Sequence, residues 1–113
     1  MYIDGWKTEL RKGMLDITVL NMLKHSQHHG YEMVQTLKKS NELRTHEGSI
    51  YPVLERLKSA GLVISHLEFH NTEARPRKYF ELTPQGHKVL EDMNAHLDRV
   101  YDIIQGFKKG TGK

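Results

Sequence analysis

One hundred and thirteen residues, with 17 Lys/Arg against 14 Asp/Glu and a formal net charge of +3, leave room for one structural domain. The absence of cysteine removes disulfides, thiolate catalysis and sulfur-ligated zinc. No stretch approaches the roughly 18 apolar residues of a membrane span, and no basic leader with an apolar core opens the chain, so a soluble cytoplasmic protein without a cofactor is expected.

Residues 1–7 read as irregular. From about Thr8 to Lys24, Leu10, Met14, Ile17, Leu20 and Leu23 recur at steps of three and four, the pattern of an amphipathic helix. Gly13 within it costs up to about 1 kcal/mol and marks a bend or a close helix contact. A polar link, residues 25–29, leads to a second helix from about Gly30 to Ser40 that buries Met33, Val34 and Leu37. Lys38 and Lys39 close that helix, where cations complement its dipole or reach a DNA backbone. Residues 41–45 follow, with Thr45 or a neighbour as the next N-cap.

Residues 47–61 are the most informative. Ile50, Val53, Leu54 and Leu57 form one apolar stripe, and Gly61 is the expected stop. The other face carries Ser49, Tyr51, Glu55, Arg56, Lys58 and Ser59. A short helix before it and a basic strand pair after it make the order of a winged helix-turn-helix, whose third helix enters the major groove of double-stranded DNA. Ser49, Tyr51 and Pro52 stand at the entering end, suited to phosphates. Arg56 has the longest reach, to guanine or phosphate, and Lys58 adds charge. Glu55 opposes binding unless Arg56 or a cytosine amine engages it.

Beyond Gly61 the period becomes two. Val63, Leu67 and Phe69 share one face with Ser65, residues 71–74 form a turn, and the return strand spans about Arg75 to Thr83, with Pro76 at an edge or strand start. Arg75, Arg77 and Lys78 are the wing cations, expected to follow phosphate and minor-groove potential. Residues 30–82 hold eight Lys/Arg against seven Asp/Glu, so the positive charge is local.

Thr83 and Pro84 open a long helix as N-cap and first helical residue. Leu90, Met93, Leu97, Val100, Ile104 and Phe107 run along it without a break. About 24 residues at roughly 1.5 Å each extend about 36 Å, beyond a compact domain of this size. The overhang calls for a second copy of the chain, joined by Leu10, Met14 and Ile17 of the first helix. The division expected is a DNA-binding unit at 1–82, a dimerisation helix at 83–107 and a flexible tail at 108–113. The fold class is α+β, mainly α.

Taken together, Gly13 to Ile17, Gly30 to Met33, Glu47 to Leu57, Gly61 to Val63 and Arg77 to Gly86 resemble the PadR-like family of bacterial transcriptional regulators, over about residues 10–105. The resemblance implies a winged-helix homodimer that represses promoters and is in some cases released by a small molecule. The single C-terminal helix resembles the smaller subfamily. Some relatives that regulate multidrug export stack planar drugs on a Trp of the last helix; this chain has Leu97 there, and its one Trp is Trp6.

Other readings compete. A small aromatic or hydrophobic effector between the first and last helices would meet Trp6, Met14, Met93, Leu97 and Tyr101 and change the spacing of the recognition helices. A winged helix also serves as a protein-interaction module. Of eight histidines, His66, Glu68 and His70 alternate on one strand face, yet no further ligand completes a metal set, and His25, His28 and His29 read as loop residues. No phosphate loop or nucleophile elbow supports catalysis.

Overall fold

The computed structural model describes residues 1–69 and 75–111. In chain order it contains α1 (Tyr2–Met22), β1 (His28–His29), α2 (Gly30–Leu37), α3 (Glu47–Ser59), β2 (Val63–Glu68), β3 (Arg77–Leu82) and α4 (Pro84–Lys108). One hydrophobic core lies among α1, α2, α3, the first turns of α4 and the root of the sheet. It is built from Leu20, Met33, Ile50, Leu54, Val63, Phe80 and Leu90, all essentially inaccessible to water. The apolar stripe of α3 enters it as expected: Ile50, Val53, Leu54 and Leu57 are all buried. At about 1.5–3 kcal/mol for each such side chain, this burial fixes which face of α3 is left to solvent.

The N-terminus corrects the expectation of an irregular start, because α1 begins at Tyr2. Ile3, Trp6 and Leu10 extend the stripe of Met14 and Ile17 backwards. They stay half-exposed among the described residues. Gly13 marks neither a bend nor a close contact: the helix runs through it, and a methyl group there would meet nothing within 4 Å.

The sheet is antiparallel in the order β1-β3-β2. Its first strand was not foreseen. His28 and His29, read as a polar link, pair with Phe80 and Tyr79 of β3. Two residues are too few for a period-two signal, so the pairing arises from proximity to β3. His29 also caps α2, its Nδ1 accepting from the Glu32 N–H at 3.2 Å, while the Glu32 carboxylate accepts from the His29 N–H at 2.9 Å. Thr45 is buried instead of capping; His46 holds the N-cap position of α3 without a side-chain hydrogen bond.

In the hairpin, Val63 pairs with Leu82 and Leu67 with Lys78. Residues opposite each other share a face, so Leu67 lies on the core-side face with Val63, while Phe69 follows the end of β2. Leu67 and Phe69 nonetheless remain exposed, because the hairpin projects past the core. The turn expected at residues 71–74 lies outside the described residues, as do His70 and the last two residues of the tail.

The hairpin root is tied to both flanking helices. Gly61, at φ +80°, ends α3 with a paired closure: its N–H donates to Lys58 O and the Leu62 N–H to Leu57 O, both at 3.0 Å. Thr83 caps α4, its Oγ1 accepting from the Gly86 N–H at 2.9 Å and donating to Gly61 O at 2.7 Å. Pro84 stands in the first turn as expected.

α1 and α4 run antiparallel. Asn21 and Asn94 clasp them through two reciprocal amide hydrogen bonds of 2.9 Å. Beyond the clasp both helices leave the core in the same direction. The molecule is accordingly 59 × 35 × 21 Å with a radius of gyration of 16.6 Å, against about 13 Å for a compact domain of ~100 residues. Among the described residues, no helix is long and apolar enough to cross a membrane.

Candidate nucleic-acid interface

Burial of its stripe leaves Gly48, Pro52, Glu55 and Ser59 on the outermost line of α3, at 3.6 residues per turn. Cations stand along both flanks of that line. On one side Ser49 shares a shallow concavity with Arg11, Lys12, Arg44 and His46. On the other, Tyr51 faces β3 across a cleft of about 520 Å³ lined by His29, Tyr31, Pro76, Arg77 and Lys78. A helix with a short polar ridge between two cationic margins matches a major groove bordered by two phosphate backbones.

Tyr51 is the best-defined residue of this surface. Its ring lies over the start of α2, and its hydroxyl opens to the cleft. Partial burial, with the nearby Glu47 carboxylate second, raises the Tyr51 pKa above the ordinary tyrosine value. The phenol is therefore a hydrogen-bond donor throughout the neutral range, as a contact with phosphate oxygen requires.

The expected wing cations separate. Arg77 turns towards α2, with Nη1 2.9 Å from His29 Nε2. Lys78 turns towards α3, with Nζ 3.8 Å from Glu55 Oε1. Lys78 is thus the partner that offsets the Glu55 carboxylate, a role expected of Arg56. Arg56 instead forms an ion pair with Asp16 of α1, on the flank away from the wing. That pair is exposed, so it contributes little to stability and can be exchanged for a phosphate. Lys58 and Arg75 are exposed. Lys38 and Lys39 lie at the far end of α2, about 10 Å along its axis from Tyr31, and do not share the cleft.

Four further residues emerge only in three dimensions. Arg11 and Lys12 join the α3 margin from α1, Arg44 joins it from the segment just before α3, and Tyr31 joins the cleft from α2. His29 packs edge-on against Tyr79 at 5.2 Å and in parallel with Tyr31 at 6.4 Å; His66 stacks on Tyr79 at 6.1 Å. His66 Nε2 is 2.8 Å from Glu68 Oε2, which also accepts from Gln27 at 2.5 Å. These rings brace β1 and β3 behind the cleft.

The expected dimer stripe also divides. Ile17 and Leu90 are buried in the subunit's own core. They close the core where α1 packs on α4, and Ile17 also forms part of the lining of the groove beside it. Met14, Met93, Leu97 and Val100 line an apolar groove of about 470 Å³ between the helices, and Ile103, Ile104 and Phe107 are more than half exposed beyond it. Of the residues expected around an effector, Met14, Met93 and Leu97 meet in this groove. Trp6 lines a separate concavity with Leu10 and Leu43, and Tyr101 does not line the groove.

The profile of the transcriptional regulator PadR-like family matches residues 19–92. A PadR family transcriptional regulator from Eggerthella lenta is 28% identical, with a TM-score of 0.83 covering 94% of this chain and 91% of that one. A PadR-like transcription factor from Bacteroides fragilis is 29% identical, with a TM-score of 0.74 covering 91% and 98%. The transcriptional regulator Rv3488 of Mycobacterium tuberculosis is 27% identical over 105 residues, 92% of this chain and 95% of its own.

Proposed function

The chain belongs to the PadR-like family of transcriptional regulators, and on that premise we propose that it is a cytoplasmic homodimeric repressor that grips a palindromic operator through α3 and the wing. The observation that carries this reading is the exposed ridge of α3 between its two cationic margins. Family membership makes the chain a DNA-binding regulator rather than an enzyme. Ser49, Tyr51 and Pro52 meet the groove, Arg77 and Lys78 follow the backbone beside it, and α4 joins the two subunits. A two-fold dimer would set the recognition helices about 34 Å apart, or a multiple of that, one helical turn of DNA per half-site step.

The test is a gel shift with DNA from upstream of the protein's own gene against scrambled competitor. Selective retention of one palindrome is expected, and equal competition by scrambled DNA overturns the operator reading. Affinity should fall about 10³–10⁵-fold between ~50 and ~200 mM salt if ~6–10 phosphates are engaged. A protein-interaction module would show no such slope. Replacing Arg77 and Lys78 together by alanine should lower the log–log salt slope by roughly 1–2; an unchanged slope removes the wing from the interface.

A second reading, release by a small hydrophobic effector, is favoured by the apolar groove between α1 and α4. Planar phenolics should then bind both the free protein, followed by calorimetry, and the protein–DNA complex, releasing DNA. Binding of neither kind at saturating probe sinks the effector reading and leaves the repressor intact.

A further inference from the structure

The residue before Tyr31 is a glycine for a reason that neither its helix nor its backbone supplies. Gly30 begins α2 at a negative φ, where any residue fits, and alanine at that point would by propensity favour the helix by up to about 1 kcal/mol. What excludes a side chain is Tyr51, twenty-one residues away on α3. A Cβ on Gly30 would stand 2.5 Å from Cζ, 2.7 Å from the phenol oxygen and 2.8 Å from Cε1 of Tyr51. Those are impossible approaches for non-bonded atoms of neighbouring side chains.

All three clashing atoms belong to the far end of one side chain that is partly exposed to solvent. The ring can swing away at little cost, so the fold survives an added methyl group. The phenol cannot then stay where it is. In its present place it opens on the cleft of His29, Tyr31, Pro76, Arg77 and Lys78, between the recognition helix and the wing. A backbone phosphate seated there would find a hydroxyl donor on one wall and cations on the other.

We propose that Gly30 is a positioning residue for DNA binding: its bare Cα is the floor on which the Tyr51 ring lies, and it holds the phenol against the wing cations as a phosphate donor. This rests on the reading of Tyr51 as a DNA contact. Gly30 itself touches no DNA. Its part is to cost the phenol no reorganisation when the duplex arrives, since a side chain already held in its bound place loses less freedom on binding. The start of α2 is thereby coupled to the wing through one ring rather than through the backbone.

The experiment is a double-mutant cycle on the full chain: the parent, Gly30→Ala, Tyr51→Ala and the double variant. Binding of a labelled duplex from upstream of the protein's own gene is followed by anisotropy, with thermal melting as a second readout. Gly30→Ala should melt close to the parent yet bind about 10- to 100-fold more weakly, the factor of one lost charge-assisted hydrogen bond. Tyr51→Ala should lose a similar factor, and Gly30→Ala should add nothing in the Tyr51→Ala background, the signature of a single shared contact. If Tyr51→Ala weakens binding while Gly30→Ala binds as the parent, the positioning role is overturned and the Tyr51 contact stands. Equal losses from Gly30→Ala in both backgrounds overturn it also, because the glycine then acts without the ring. A Tyr51→Ala protein that binds as the parent overturns the underlying reading together with the role built on it.

Discussion

Gly86→Ala should destabilise the protein by about 3 kcal/mol or more, at the upper end of overpacking costs. Gly86 sits in the first turn of α4, where alanine would by propensity stabilise the helix by up to about 1 kcal/mol. The sign therefore separates packing from propensity. A Cβ there would overlap the carbonyl oxygen of Leu62 and stand 3.0 Å from its carbonyl carbon. Unlike the ring over Gly30, this obstacle is backbone and cannot swing aside. The Leu62 carbonyl accepts from the Thr83 N–H at 3.1 Å, and its neighbour Gly61 is held through the Thr83 hydroxyl and the closure of α3. Relief would require moving α4 off the hairpin root or undoing that cap. At constant protein concentration Tm should fall by about 10 °C or more, given ~4–8 °C per kcal/mol for a domain of this size. A variant melting within about 2 °C of the parent would show that α4 is not seated on Leu62 as described.

Leu97→Asp and Ile104→Asp, made separately, should each yield a monomer with operator affinity lower by roughly 10²–10⁴-fold, the avidity lost when two half-sites are no longer linked. The basis is apolar surface left uncovered among the described residues. Val100, Ile103, Ile104 and Phe107 on α4, and Tyr2, Ile3, Trp6 and Leu10 on α1, remain between 38% and 89% exposed. They lie on the two helices that leave the core in the same direction, with the apolar groove between them. Single exposed apolar side chains are ordinary, but a contiguous face of this kind marks an interface. A carboxylate buried in it without a partner is strongly disfavoured. Leu97 tests the groove and Ile104 the overhang. Sedimentation that still reports a dimer for both would overturn α4 as the dimerisation helix, whereas a monomer with unchanged operator affinity would separate dimerisation from DNA binding.

Much of the winged helix was legible because its signals are local or periodic. The stripe of α3, the stop at Gly61, the Thr83 cap with Pro84, and the period of two in β3 each depend on neighbours within about one turn or one strand. Tyr51 and Lys78 could be singled out from chemistry and order along the chain. Their partners could not. That Lys78 meets Glu55, that Arg56 meets Asp16 and that Arg77 meets His29 are contacts across 23, 40 and 48 positions. Periodicity assigns a face to such residues and leaves the opposing atoms unspecified.

The two-residue β1 and the helical N-terminus were missed for opposite physical reasons. His28 and His29 carry no strand pattern, and β3 imposes their conformation through the ladder. Tyr2 to Lys7 do continue the stripe of α1, but its apolar side chains stay about half-exposed or more among the described residues, and a stripe without a covered face does not declare a helix. The sequence by itself determined α2, α3, α4, the body of α1 and the β2–β3 pair, and which face of α3 turns inward, because burial of apolar side chains follows the backbone period. Only the tertiary structure decided that Ile17 and Leu90 are core, that Arg11 and Lys12 flank α3, and that Gly30 and Gly86 must lack a side chain. Those are properties of the space between elements, which is set by packing and has no period along the chain.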